Sequence, residues 1–63
     1  MQWYLVITPS PGDNGLRSYS VFTASPVEAL RDAIFTDLND FPDNPSKFTA
    51  VEVVKSVGSV LSL

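Results

Sequence analysis

Sixty-three residues, seven of them acidic and four basic, give the chain a net charge of −3 and limit it to one small acidic domain, residues 1–63. It contains no cysteine and no histidine, which excludes disulfides, thiolate and imidazole metal ligands, and histidine-based catalysis. The four cations are scattered along the sequence, so we expect no direct binding to nucleic acid.

The same small size predicts a partner. A domain of this length buries only about 60% of its unfolded surface, and small folds usually gain the missing stability from disulfides, a metal or another subunit. We therefore expect contact with another protein or with a second copy of the chain. The apolar run near the N-terminus is too short for a signal peptide or a membrane span, so we expect a cytoplasmic protein with no membrane contact.

The segment Gln2 to Thr8 is rich in aromatic and β-branched residues and predicts a first strand. Both of its alternating faces are apolar, which is typical of a central strand. We expect the face that carries Trp3 and Leu5 to pack beneath the helix. The opposite face would then be left uncovered. Depending on the register, it would carry part of the set Tyr4, Val6, Phe22, Tyr19 and the valines of the third strand.

The prolines and glycines from Pro9 to Gly15 predict a turn, and Gly12 to Gly15 is interpreted as a hairpin loop rather than an anion site. Arg17 to Thr23 predicts a second strand that pairs antiparallel with the first.

A helix is predicted from Pro26 to about Leu38, with Phe41 as its furthest end. Ser25 fits the N-cap, Pro26 the first helical position and Glu28 the acid of a capping box. Spacings of three and four place five apolar residues on one stripe, flanked by Ala29 and Ala33, with Phe35 partly exposed. The stripe consists of Val27, Leu30, Ile34, Leu38 and Phe41.

Phe48 to Lys55 predicts a third strand. After it, Gly58 fits either a tight turn into a short fourth strand or a bulge in one long strand, and we favour a turn or bend near Val57 to Ser59. The predicted fold class is therefore α+β: a small ββαβ domain with an antiparallel sheet of order 2-1-3 and one helix packed on one face.

No pattern in the chain predicts catalysis, a cofactor or a metal. Asp37 to Phe48 resembles a calcium loop only superficially, because Pro42 replaces the glycine that the turn requires and Phe48 the final glutamate. The serines have no histidine to activate them. Acidic helix residues at spacings of three and four, such as Asp37 and Asp40, are expected on a solvated face. We therefore expect a protein that is not an enzyme.

Acidic and aromatic side chains are the candidates for protein binding. The acids of the helix would form a docking face, and aromatic residues that one helix cannot cover are favoured contact anchors. The candidates are Glu28, Asp32, Phe35, Asp40, Tyr4, Tyr19 and Phe22.

From Trp3 to Leu38, the order of elements and the motif Ser25-Pro26-Val27-Glu28-Ala29-Leu30 resemble the partial-RNase-H-like fold of HicB-type antitoxins. That resemblance implies an antitoxin bound to a small toxin. In size, charge and simple αβ build the chain is also similar to small acidic phage and mobile-element proteins, including anti-defence and host-takeover inhibitors. Our leading hypothesis is a non-enzymatic inhibitor or regulator of another protein. The alternatives are a self-assembling structural protein and a HicB-like antitoxin.

Overall fold

The computed structural model describes residues 1–12 and 15–55. They form strands β1 (Gln2–Pro9) and β2 (Leu16–Thr23), helix α1 (Pro26–Asp40) and strand β3 (Glu52–Lys55). The sheet has the order β2-β1-β3, and both pairs of neighbours are antiparallel. This confirms the predicted α+β fold with strand order 2-1-3. The prediction for Val57 to Leu63 lies outside the described residues.

β1 and β2 form the predicted hairpin. Their register runs from Gln2 opposite Thr23 to Pro9 opposite Leu16. At the base of the loop, the Ser10 backbone N–H donates to the Gly15 carbonyl over 3.0 Å. Gly12 has a φ of 83°, a left-handed conformation that glycine adopts without the clash of a Cβ.

Helix α1 begins where the sequence predicts. The Ser25 Oγ accepts a hydrogen bond of 3.2 Å from the Glu28 backbone N–H, and Pro26 is the first helical residue. The Glu28 carboxylate accepts from the Thr23 hydroxyl over 3.4 Å, which ties the helix start to the end of β2. The helix continues to Asp40, two residues past Leu38, and Phe41 caps it.

The helix packs on the opposite face of β1 from the one we predicted. Tyr4, Val6 and Thr8 are buried beneath it, whereas Trp3 and Leu5 lie on the other side of the sheet. The expectation that Trp3 or Leu5 faces the helix is therefore wrong. Because both faces of β1 are apolar, its alternation did not decide between them; the polar partners of the helix, described below, lie on the Tyr4 side.

The buried stripe of α1 also differs from the predicted one. The helix faces the sheet with Ala29, Ala33 and Asp37, all of them fully buried. Leu30 and Ile34 are half-buried, while the predicted stripe members Val27, Leu38 and Phe41 are exposed. Small alanines allow the helix backbone to approach the sheet closely, so the larger residues lie at its flank. Phe35 is exposed, as predicted.

The predicted third strand is too long at its start. Phe48 and Ala50 have φ values of 55° and 54°, which interrupt an extended backbone, and β3 begins only at Glu52. The irregular segment from Phe41 to Val51 therefore crosses from the helix to the sheet. Phe48 and Val51 still pack against the core from this segment.

Candidate functional site

The sheet has one face that no described element covers. We call it the open face. Alternation along the strands places on it every second residue, on the side away from α1. Its members are Trp3, Leu5 and Ile7 from β1, Leu16, Ser18, Ser20 and Phe22 from β2, and Glu52 and Val54 from β3.

An aromatic pair marks one end of the open face. Trp3 lies directly opposite Phe22 in the register, with ring centroids 5.3 Å apart and planes tilted by 52°. Trp3 remains 38% exposed and Phe22 51% exposed. Exposed aromatic residues with defined geometry are the side chains most enriched in protein interfaces.

Aliphatic side chains extend this surface from the aromatic pair across β1. Leu5 lies opposite Val54, and Ile7 opposite Glu52. Leu5 and Ile7 are half-buried by their neighbours, while Val54 is exposed. The result is a contiguous apolar surface that spans three strands and carries one carboxylate at its border.

The candidate residues on α1 lie on two different sides of the helix. Glu28, Asp32 and Phe35 follow spacings of four and three along α1, so they share one outward stripe of the helix. All three are exposed. Asp40 belongs to a different side at the end of the helix, close enough to Tyr19 for its charge to raise the pKa of that phenol.

Tyr4 and Tyr19, two of the candidates for the uncovered face, do not lie on the open face. Tyr4 is buried in the core beneath the helix, and its hydroxyl accepts a hydrogen bond of 2.7 Å from the Gln2 side-chain amide. Tyr19 is half-buried on the same side and donates its hydroxyl proton to Asp37. Of the sheet aromatics among the candidates, Phe22 is the one that lies on the open face.

Asp37 is the buried centre of a polar cluster that the sequence reasoning missed. Its Oδ1 accepts hydrogen bonds from the Tyr19 hydroxyl and, over 3.1 Å, from the Arg17 guanidinium. Its Oδ2 accepts a 2.6 Å hydrogen bond from the Ser46 backbone N–H. The prediction that Asp37 and Asp40 form a solvated pair is therefore wrong for Asp37, which is fully buried.

The cluster keeps Asp37 ionised. Burial alone would raise the pKa of this carboxyl, but hydrogen bonds from Tyr19, Ser46 and Arg17, together with the charge of Arg17, outweigh it and lower the pKa below its ordinary value. Burial and the adjacent Asp37 carboxylate raise the pKa of Tyr19 to about 12. Tyr19 is therefore a hydrogen-bond donor at any physiological pH.

The same contacts join four segments of the chain. Arg17 also donates to the Ser46 Oγ over 3.2 Å, and its guanidinium carbon lies 3.7 Å from the centroid of the Phe41 ring, a favourable cation–π distance. The Ser46 hydroxyl reaches the Pro9 carbonyl at 3.5 Å. The cluster thus fixes the irregular segment against the hairpin and the helix, a structural role.

One sequence signal could have revealed this cluster. Asp37 follows Ala29 and Ala33 at intervals of four, so it continues the row of small residues that faces the sheet. Arg17 is the lone charged residue of β2, whose other side chains are apolar, aromatic or small and polar. A buried acid on one element and a single cation on another are a natural pair.

A shallow cleft lies beside the hairpin loop. It is lined by Pro9, Ser10, Pro11, Gly12, Lys47 and Thr49 and has a volume of about 170 Å³, below the roughly 300–1,000 Å³ of typical small-molecule sites. Within residues 1–12 and 15–55, no three acidic side chains come together as a metal site would require. Nor does α1, the helix of this part of the chain, have the length and apolar character to cross a membrane.

Comparisons of the chain with protein-family models, with curated proteins and with solved structures found no match. The likeness to HicB-type antitoxins thus stays a prediction drawn from the order of the elements.

Proposed function

We propose that this chain is a non-enzymatic protein-binding module that regulates or inhibits a partner protein by docking its open face. The observation that carries the proposal is the contiguous apolar surface around Trp3 and Phe22, which the elements of residues 1–12 and 15–55 leave uncovered. Uncovered apolar surfaces of this kind mark interaction sites in folded proteins.

The open face supports docking better than the outward stripe of the helix. On the helix, Phe35 is a single exposed ring beside the carboxylates Glu28 and Asp32, a composition typical of a solvated face. On the sheet, Trp3 and Phe22 support each other through direct ring contact, and aliphatic residues continue the surface across the strands. Preorganised aromatic anchors lose little side-chain entropy on binding, which favours the sheet as the contact surface.

The arrangement of the acids supports a function without catalysis. Asp37 is the most enclosed of them, but both of its oxygens accept hydrogen bonds from fixed donors, so it is not available as a general acid or base. The other helix acids are exposed to solvent. A carboxylate that performs acid–base chemistry needs a cleft that brings it to a substrate.

The specific form that we propose is an inhibitor of the phage or mobile-element type, acting in the cytoplasm of the cell that contains it. Small size, a net charge of −3 and a plain αβ build support this form. The partner would carry a complementary apolar patch large enough to cover Trp3, Leu5 and Phe22.

The test compares two double variants in pull-downs from an extract of the source organism or its host. Trp3→Ser/Phe22→Ser removes the aromatic pair of the open face. Val27→Ser/Phe35→Ser removes two side chains of α1 that are also well exposed and serves as the matched control. Circular dichroism establishes that each variant is folded before its binding is measured.

We expect the wild type and the helix variant to retain one stoichiometric partner and the open-face variant to lose it. Retention by a folded open-face variant would contradict the proposed surface. Loss of the partner by the helix variant alone would show that the partner binds α1 instead of the open face. Recovery of the protein by itself, without any partner, would overturn the proposed function.

A further inference from the structure

The outer edge of β2 is a strand edge with which no described strand pairs. β2 pairs with β1 on one side, and within residues 1–12 and 15–55 no other strand pairs with it. Folded proteins usually guard such an edge with proline, lysine, a bulge or a short strand. β2 has eight residues and neither proline nor lysine, and its single charged side chain, Arg17, is held beneath the helix by Asp37.

The opposite edge of the sheet is guarded. Within the described residues β3 comprises Glu52–Lys55, and both of these end residues are charged and exposed. A partner strand would therefore add at β2 rather than at β3.

The residue pattern of β2 is complementary to itself. An antiparallel pair of β2 strands with its two-fold axis at Tyr19 keeps open-face residues opposite open-face residues, as the pleat requires. In this register Leu16 lies opposite Phe22 of the second copy, and Ser18 opposite Ser20 of the second copy. Both cross-strand pairs occur twice because of the symmetry.

These pairs match the exposure of the side chains in the single chain. Leu16 is 70% exposed and Phe22 51% exposed, and each would gain an apolar neighbour on the adjoining strand. A two-fold axis at Ser20 would instead place Phe22 opposite Ser18 and would form no apolar pair on the open face. With the axis at Tyr19, Arg17 faces Val21 of the second copy, so no like charges meet at the edge.

We propose that β2 pairs antiparallel with β2 of a second copy, with the two-fold axis at Tyr19, to form a homodimer. The two three-stranded sheets would then be continuous, and their open faces would join into one wider surface. The dimer does not depend on the proposed docking function, because the open face remains exposed in it.

The test uses purified protein and a charge exchange. Ser18→Lys/Ser20→Lys places lysine opposite lysine in both cross-strand pairs of the dimer. Ser18→Lys/Ser20→Glu places lysine opposite glutamate in the same pairs. Both serines are exposed. Thr36→Lys/Asn39→Lys, on exposed sites of α1, gives the same net charge as the first variant and is its control.

Sedimentation equilibrium measures the dissociation constant, with 6.9 kDa as the monomer mass. We expect a wild-type dimer, a dissociation constant roughly 10-fold higher for the double-lysine variant, and wild-type affinity to within about threefold for the lysine–glutamate variant and for the control. Circular dichroism shows that the variants are folded.

Three results would overturn the proposal. The first is a wild type that stays monomeric up to about 1 mM, where even weak specific contacts form. The second is a double-lysine variant that dimerises as tightly as the wild type. The third is a lysine–glutamate variant that dimerises as weakly as the double-lysine variant. The Tyr19-centred register places lysine opposite glutamate in that variant, so it must restore dimerisation. None of these results needs a partner protein, so they are independent of the pull-down.

Discussion

Replacing Asp37 by Asn tests whether the buried cluster holds this small fold together. The substitution keeps the shape of the side chain and removes its charge. Three donors converge on the two carboxylate oxygens, from Arg17, Tyr19 and Ser46, whereas an asparagine offers one oxygen and one amide nitrogen. Whichever way the asparagine amide is turned, its N–H₂ group faces a hydrogen-bond donor. In addition, Arg17, which is only 10% exposed, loses its counter-ion.

The expected loss is large compared with the stability of the whole domain. Removing one partner of a buried ion pair costs about 3–5 kcal/mol. At roughly 0.05–0.15 kcal/mol per residue, a chain of this length has a total free energy of unfolding of about 3–9 kcal/mol. We therefore expect Asp37→Asn to be close to its unfolding midpoint at room temperature and neutral pH.

Urea denaturation at low protein concentration measures the effect, followed by far-UV circular dichroism and by the fluorescence of Trp3, the single tryptophan. With an m-value of about 1 kcal/mol per molar urea, a loss of this size should lower the midpoint by roughly 3–5 M. Asp40→Asn removes the same charge from an exposed site one turn further along α1 and should change the free energy of unfolding by about 0.5 kcal/mol or less. A loss below about 1 kcal/mol for Asp37→Asn, or equal losses for the two variants, would refute the stabilising role of the cluster.

Two other substitutions test the cluster and the irregular segment. The pKa of Tyr19 is raised from 10.0 to about 12 in the folded state, so its contribution is complete below pH 10 and is lost as the pH rises to 12. The contribution of Asp37, whose pKa is lowered from 3.8, is present above that value and is lost as the pH falls below it. In urea titrations across pH, Tyr19→Phe should lower the free energy of unfolding by about 1.5–3 kcal/mol at neutral pH, as for a lost hydrogen bond to a charged group. This loss should shrink above pH 10. A loss that stays constant at all pH values would contradict the hydrogen bond from Tyr19 to Asp37. Ala50→Gly should raise the free energy of unfolding by about 0.5–1 kcal/mol, because relief of the left-handed backbone outweighs the added chain entropy. Ala24→Gly, at an exposed residue without positive φ, should lower the free energy of unfolding. Thermal unfolding compares the two variants, and a loss of stability in both would argue against strain at Ala50.

Local signals in the sequence were sufficient to predict the secondary-structure elements and their order. The cap at Ser25 and the prolines and glycines between the strands specify where α1 begins and where the hairpin turns. The central place of β1 followed from its two apolar faces. These features depend on neighbouring residues in the chain, which is why they could be predicted from one sequence.

The choice of covered face could not be predicted in the same way. Trp3, Leu5 and Ile7 are as apolar as Tyr4 and Val6, so hydrophobicity is nearly balanced across β1. The decision depends on Asp37, whose donors come from β2 and from the irregular segment near Ser46. Contacts between residues far apart in sequence carry no periodic signal, and the candidates Tyr4 and Tyr19 were consequently placed on the wrong side.

The buried carboxylate explains why the larger apolar residues remain outside. With Ala29, Ala33 and Asp37 facing the sheet, α1 can approach β1 and β2 closely only over the side that supplies Arg17 and Tyr19. Turning the sheet over would bury Trp3 and Phe22, but it would leave Asp37 in the interior without donors, a cost of several kcal/mol. Burying the two rings would gain about 3–6 kcal/mol, but the same inversion would expose Tyr4 and Val6, which are buried now, and would forfeit a similar amount. Polar satisfaction in the core thus selects the face that the helix covers, and the aromatic pair is left on the open face.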